Sequence, residues 1–226
     1  MAKIIVFNNA SNRMEISHRA ENDPMPYSLD RTLTVREFRG SSNSPTLWTS
    51  LRTMEAWNAT RRAFASPIPL GFAFKRPWEG GHAPQSQHYA GVALDVGQRL
   101  TAAQRNNLRT LAQRLGVWTY VEPAHLTPTW VHFDRRMVPP ACAAGGFPVL
   151  RRGSLNNYVL TLQDSLNTAG YPTGVLDGIF GEQTENAVRN YQRARGLTAD
   201  GIVGCLTWTR LMQDVVGNGR KPGTVD

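Results

Sequence analysis

The chain has 226 residues, 41% of them hydrophobic, which is enough for one good core or two small ones. Its 25 Lys and Arg against 17 Asp and Glu leave a charge of +8, a balance that favours polyanions such as nucleic acid, anionic lipid or the acidic polymers of a bacterial wall. No run approaches the roughly 20 apolar residues of a membrane span, and the apolar stretch 4–7 is too short for the core of a Sec-type export signal, so neither feature is expected.

In chain order, residues 1–29 carry no pattern that assigns them. Residues 47–64 have helical apolar spacing. Residues 68–74, IPLGFAF, read as a strand with Pro69 at its start or edge. Thr101 and Gln104 form the N-cap/N3 pair of a capping box, opening a helix that runs to Leu115 and stops at Gly116. Residues 117–121 and 130–133 read as short strands. Helices and non-parallel strands in mixed order indicate an α+β domain over residues 30–136, a small antiparallel sheet with flanking helices. Residues 137–152, rich in Pro, Gly and Ala, read as a linker.

The C-terminal part contains an echo. DGIFGEQT at 177–184 recurs as DGIVGCLT at 200–207. In each copy Asp-Gly makes a turn, an apolar pair dips inward, and Gly admits the backbone to a helix. Helical spacing flanks both copies: Tyr158, Leu162 and Leu166, then Ala187, Val188 and Tyr191, then Trp208, Leu211 and Met212. A separate all-α unit of three helices is expected over 153–213, with a flexible tail at 214–226. This unit resembles the three-helix type of peptidoglycan-binding domain. The matching residues are the run 162–167, Gly170-Tyr171, both turns, Tyr191-Gln192, Gly196-Leu197 and Thr207-Trp208. The resemblance implies bacterial peptidoglycan as partner. The two cysteines, Cys142 and Cys205, have neither the density of a disulfide-built fold nor the spacing of a Cys zinc site. Two unpaired thiols are favoured over a disulfide between them.

The chemistry is concentrated in SQHYAGVALD, residues 86–95. Along a strand Val92 and Leu94 face one way and Ala93 and Asp95 the other. Gly91 and Ala93 leave room on the Asp95 face, over which His88 can fold from the preceding turn. Taken alone, His88 and Asp95 read first as a hydrogen-bonded structural pair. A further strand, TWVHFD at 129–134, sets Trp130, His132 and Asp134 on one face. Two His and one carboxylate with an open fourth position form the pattern of catalytic zinc, which lowers the pKa of bound water to about 7 and polarises a carbonyl.

The motif SxHxxGxAxD, filled by Ser86, His88, Gly91, Ala93 and Asp95 and followed by the VHxD strand, resembles the zinc D-Ala-D-Ala carboxypeptidase and endopeptidase family, whose fold is shared with lysostaphin-type enzymes and hedgehog. Gly80-Gly81, the segment 33–38 and the strand 68–77 extend the likeness over about residues 30–136. It implies Zn²⁺ held by His88, Asp95 and His132 and a metallopeptidase acting on peptidoglycan stem peptides. Two departures stand out. The family's carboxylate-binding arginine falls on Lys75 or Arg76: alignment favours Lys75, and the bidentate guanidinium fork favours Arg76. Ser86 joins them as a substrate-side residue. The family's acidic base, three residues before the last ligand, is Thr129 here. His125 is then preferred narrowly over Glu122 as catalytic base, and Asp134 is expected to orient a ligand imidazole. His18 and His82 are expected to be solvated, His82 with the option of lining the cleft. The expected protein is a monomeric wall hydrolase, either carboxypeptidase or endopeptidase, that remains cytoplasmic until released in the manner of a phage endolysin or exported by another route. The alternative is a non-catalytic wall-binding protein. Scattered Arg and Lys, with no basic helix or stacked aromatics, argue against nucleic acid.

Overall fold

The computed structural model describes residues 1–29 and 31–219. The unassigned N-terminal segment is a hairpin. Strand β1 (Ala2–Asn8) pairs antiparallel with β2 (Arg13–Arg19), and Asn8 caps the turn by accepting the N–H groups of Ala10 and Ser11. On its other edge β1 pairs in parallel with β3 (Thr46–Ser50), giving a three-stranded sheet ordered β2-β1-β3. Central placement explains why β1 reads as a continuous apolar run, since both its faces are covered.

The expected helix over 47–64 is therefore two elements. LWTS belongs to β3, and α2 (Leu51–Phe64) begins only after Ser50, whose hydroxyl accepts the Thr53 N–H at 3.2 Å. The N-cap serine, rather than the apolar spacing, marks the true boundary. A short helix α1 (Val35–Arg39) opens on a Thr34/Glu37 capping box.

A second sheet is antiparallel throughout, ordered β4-β5-β7-β6, from β4 (Leu70–Phe72), β5 (Ala93–Val96), β6 (Tyr120–Val121) and β7 (Val131–Asp134). Helix α3 (Ala102–Leu115) lies between β5 and β6 in the chain, with the expected Thr101/Gln104 capping box and Gly116 in the left-handed region at its end. Trp48, Trp57, Phe74, Leu94, Leu108 and Phe133 join both sheets and α2 and α3 in one core.

Helices α4 (Asn157–Ala169), α5 (Glu182–Ala194) and α6 (Cys205–Val215) form the C-terminal module. The sequence echo becomes a structural one. Gln163 of α4 donates to Asp177 Oδ1 (2.7 Å), the Ile179 carbonyl and Thr184 Oγ1, and accepts from the Gly178 N–H. Gln192 of α5 does the same to Asp200 (3.0 Å), Ile202, Thr207 and Gly201. One buried glutamine thus clasps each turn and satisfies its inward polar groups.

The module is not separate. All thirteen residues of α4 are buried, because one face packs on α5 and α6 and the other on the sheet domain. Asn157 donates to the Ala90 carbonyl, Thr161 to the Tyr89 carbonyl and the Tyr158 hydroxyl to Gln87 Oε1 at 2.6 Å. Tyr89, Ala90 and Val92 belong to the module's apolar core, and Leu160 belongs to the first core. Nor is 137–152 a slack tether. Phe147 is buried against Tyr158 and Trp208, Leu150 bridges to Val203, and Cys142 is disulfide-bonded to Cys205 at the start of α6. The expectation of free thiols fails because this strap folds back onto α6, where the two Cα atoms stand 4.8 Å apart. Of the expected tail, residues 214–219 are ordered: Asp214 accepts from Tyr191, and Gly217 and Gly219 donate to the Pro77 and Trp78 carbonyls. Residues 220–226 lie outside the described residues. No helix among the described residues is long and apolar enough to cross a membrane.

Candidate metal centre

Antiparallel pairing of β5 with β7 sets Asp95 directly opposite His132 and Ala93 opposite Asp134. Side chains of paired residues emerge on the same face, so the register alone brings the carboxylate to the imidazole. His132 Nδ1 lies 2.7 Å from Asp95 Oδ1. His88 arrives from the turn before β5, with Nε2 3.3 Å from Asp95 Oδ2. One nitrogen from each imidazole and one carboxylate oxygen lie within 4.8 Å of one another.

Gly91 makes that turn possible, though not by leaving space beside Asp95. Its φ is +68°, and a Cβ there would sit 1.9 Å from the Trp48 carbonyl oxygen. The chain is pressed against β3, where Thr49 Oγ1 donates to the Gly91 carbonyl and Trp48 Nε1 to that of Tyr89. Only glycine permits both the conformation and the approach.

Each imidazole is anchored through its other nitrogen. His88 Nδ1 lies 2.9 Å from the Ala73 carbonyl, an acceptor only, so this nitrogen carries the proton and Nε2 is left facing Asp95. His132 Nε2 lies 3.2 Å from Asp134 Oδ2, leaving Nδ1 to face Asp95. Asp134 is fully buried and is gripped by the Arg136 guanidinium, whose Nε donates at 2.8 Å and which also stacks on Tyr120. Asp134 thus holds the His132 ring from the side away from Asp95. Arg136, which fixes Asp134, was not anticipated, although a cation two residues from a buried acid is a readable signal.

Electrostatics follow from this packing. Burial pushes Asp95 upward, but hydrogen bonds from His132 and His88 and their charges hold it well below the usual carboxylate range. Burial lowers His132, yet hydrogen bonds to Asp134 and Asp95 and their charges bring it up to about 9. His82, expected to be solvated, is half-buried against Phe72 and His88 at ring distances of 4.3 and 4.7 Å. Burial, then repulsion from His88, lowers it to about 4, so it stands neutral beside the cluster. The Tyr89 hydroxyl clasps its backbone, accepting from its N–H and donating to its carbonyl. His18 is exposed on β2.

The cluster opens into a cleft of about 640 Å³, whose walls include His82, Ser86, Glu122 and Trp130 of the sheet domain together with Gly145, Cys205 and Thr209 from the strap and α6. Ser86 also accepts the His88 backbone N–H at 3.4 Å. Two expectations are corrected here. His125 is exposed and is not among the cleft-lining residues, because the 123–126 turn points it outward; Glu122, the second choice, does line the cleft. Arg76 is fully buried and faces away, donating through Nε to Asp164 of α4 at 2.8 Å and through Nη1 to Ser44, beneath Trp48. Of the two candidates, Lys75 is the one beside the cleft residue His82: a Cβ on Gly81 would meet its Nζ at 3.4 Å, and its charge acts on His82, while Arg136 is the cation that lines the cleft itself.

Two histidines and a carboxylate, each histidine fixed from behind, form a cluster that could hold a metal ion on an α+β scaffold, with a helical module as one wall of its cleft. Residues 156–211 match the family described as "Putative peptidoglycan binding domain", so the chain carries such a domain. It is similar to the N-acetylmuramoyl-L-alanine amidase CwlM of Mycobacterium tuberculosis, 56% identical over 46 residues, 20% of this chain and 11% of that protein. It is 40% identical over 65 residues to the spore cortex-lytic enzyme of Bacillus cereus, 29% of this chain and 25% of that one. With the zinc D-Ala-D-Ala carboxypeptidase of Streptomyces albus G it shares 44% identity over 68 residues, 28% of this chain and 26% of that enzyme. The chain thus spans about a quarter or less of the length of these three relatives.

Proposed function

We propose that this chain is a zinc-dependent peptidoglycan hydrolase that cleaves stem-peptide amide bonds, carried to the wall by its helical module. The observation that carries the reading is the convergence of His88 Nε2, Asp95 and His132 Nδ1 in a cleft that the peptidoglycan-binding domain helps to enclose. The donor set fits zinc: two imidazoles, each anchored through its other nitrogen, and one carboxylate held ionised.

Zinc at these three ligands would acidify water and polarise a scissile carbonyl. The protein's own groups supply the remainder. Asp134, locked by Arg136, keeps the His132 ring in register with Asp95. Glu122 is the acid in the cleft not committed to the cluster, and it takes the proton from the attacking water and returns it to the leaving amine. Lys75 holds a substrate carboxylate by charge. Neutral His82 offers a hydrogen bond without adding repulsion to the cluster. With Glu122 in the cleft, the loss of an acid at position 129 gives no reason to regard the domain as inert.

Stem peptides or whole wall incubated with the protein, with and without chelator, test this reading. Metal-dependent release of D-Ala or of cut cross-links is expected, abolished in His88→Ala while sedimentation with wall persists. Zinc-loaded protein that cuts no stem peptide refutes it.

A further inference from the structure

A second cavity, of about 520 Å³, lies where the two sheets meet the start of α4, with Arg136 lining both it and the cleft of the His88/Asp95/His132 cluster. Phe7, Asn9, Arg52, Arg135 and Asn157 contribute to its walls. No carboxylate lines it among the described residues, yet three guanidiniums do. Arg136 is spent on Asp134 and Tyr120. Arg52 and Arg135 are not: neither guanidinium has a hydrogen bond or ion pair among the described residues, and both line the same cavity, where burial and then the Arg52 charge weigh against the Arg135 proton. Glu55, in the turn of α2 after Arg52, offsets only part of that repulsion. Arg135 is half-buried, with its backbone fixed to the Val92 carbonyl just after β7. Two like charges converging in a concave site without an internal counter-ion are stabilised by an external anion.

We propose that this cavity is an oxyanion site in which Arg52 and Arg135 bind a phosphate group. Two planar forks present more donors than one carboxylate can accept, whereas a phosphate, with three or four oxygens, engages both. The cavity also exceeds a lone carboxylate in size. The same chemistry is offered by free phosphate and by the phosphodiesters of an anionic wall polymer. The site does not depend on the metal centre.

The test titrates the full-length protein with sodium phosphate against sodium chloride at matched ionic strength, followed by amide chemical shifts. Saturable shifts at Arg52, Arg135 and Asn9 with phosphate alone are expected. Arg135→Gln should weaken binding about tenfold, the worth of one charge-assisted hydrogen bond. Exposed Arg52→Gln should do the same with no folding penalty, and remains informative if Arg135→Gln unfolds. Chloride shifts equal to those of phosphate, or unchanged phosphate affinity in Arg52→Gln, would overturn the proposal. Poly(glycerol phosphate) forms the second arm. Binding tighter than phosphate and lost in Arg52→Gln assigns the polymer; equal affinity per phosphate assigns the free ion; retention of neither overturns the site.

Discussion

Removing one partner of the Arg76–Asp164 pair should destabilise the two halves of the protein together. Arg76, from the segment after β4, and Asp164, from α4, are both buried, and the guanidinium is further held by Ser44 and stacked on Trp48. Asp164→Asn keeps the size of the side chain but leaves a guanidinium buried without its counter-charge. Breaking a buried pair from one side costs about 3–5 kcal/mol. At about 2–4 °C per kcal/mol for a chain of this size, the melting temperature should fall by about 6–20 °C. Calorimetry is the assay, because α4 belongs to both cores and unfolding should remain a single transition in both proteins. Arg76→Met combined with Asp164→Leu should recover most of the loss, since an apolar pair leaves no orphaned charge. If Asp164→Asn melts within about 2 °C of the parent, or the parent melts in two steps, the pair does not join the halves. If Arg76→Met instead raises KM without altering stability, Arg76 serves substrate after all.

Three further outcomes are expected. Glu122→Gln should lower kcat by about 10²–10⁴ while His125→Ala leaves it unchanged; the reverse would return the base to the 123–126 turn. In the metal-free protein the His132 pKa is raised from 6.5 to about 9, so its contribution to stability is complete below about pH 6.5 and disappears as pH rises through about 9. Zinc needs that proton gone, so zinc affinity should keep rising between pH 7.5 and 9 in competition with a chromophoric chelator, and a plateau above about pH 7 would refute the raised pKa. Cys142→Ser with Cys205→Ser should cost about 2–4 kcal/mol for a link spanning 63 positions, read as a lower melting temperature that added reductant no longer changes.

What the sequence made legible was local. The α3 capping box, the strand face that joins His132 to Asp134 and the doubled turn all depend on residues a few positions apart, where spacing maps directly onto geometry. His88, Asp95 and His132 converge, and it took the motif's resemblance rather than periodicity to favour that grouping over a structural pair. Long-range contacts were hidden. Nothing near Arg76 announces a partner 88 positions away, so a basic residue after a strand looked like a substrate clamp. The apolar spacing in 47–64 matched a helix because β3 is short and buried on every residue, and so lacks the alternation that marks a half-exposed strand. Pro, Gly and Ala in 137–152 suggested slack, when they fit a strap pressed against Tyr158 and Trp208. His125 and Glu122 differ only in which way a turn points them, which composition does not encode.

The bond between Cys142 and Cys205 also changes what a protease can do to this molecule. It makes a covalent ring that contains α4, α5, the first clasped turn and most of the second, as well as Val175, which stands 66% exposed on a loop within it. A single cut anywhere inside that ring opens the backbone yet releases no fragment. The nicked chain keeps its helical module attached to its sheet domain, and only a second cut or a reducing environment separates them.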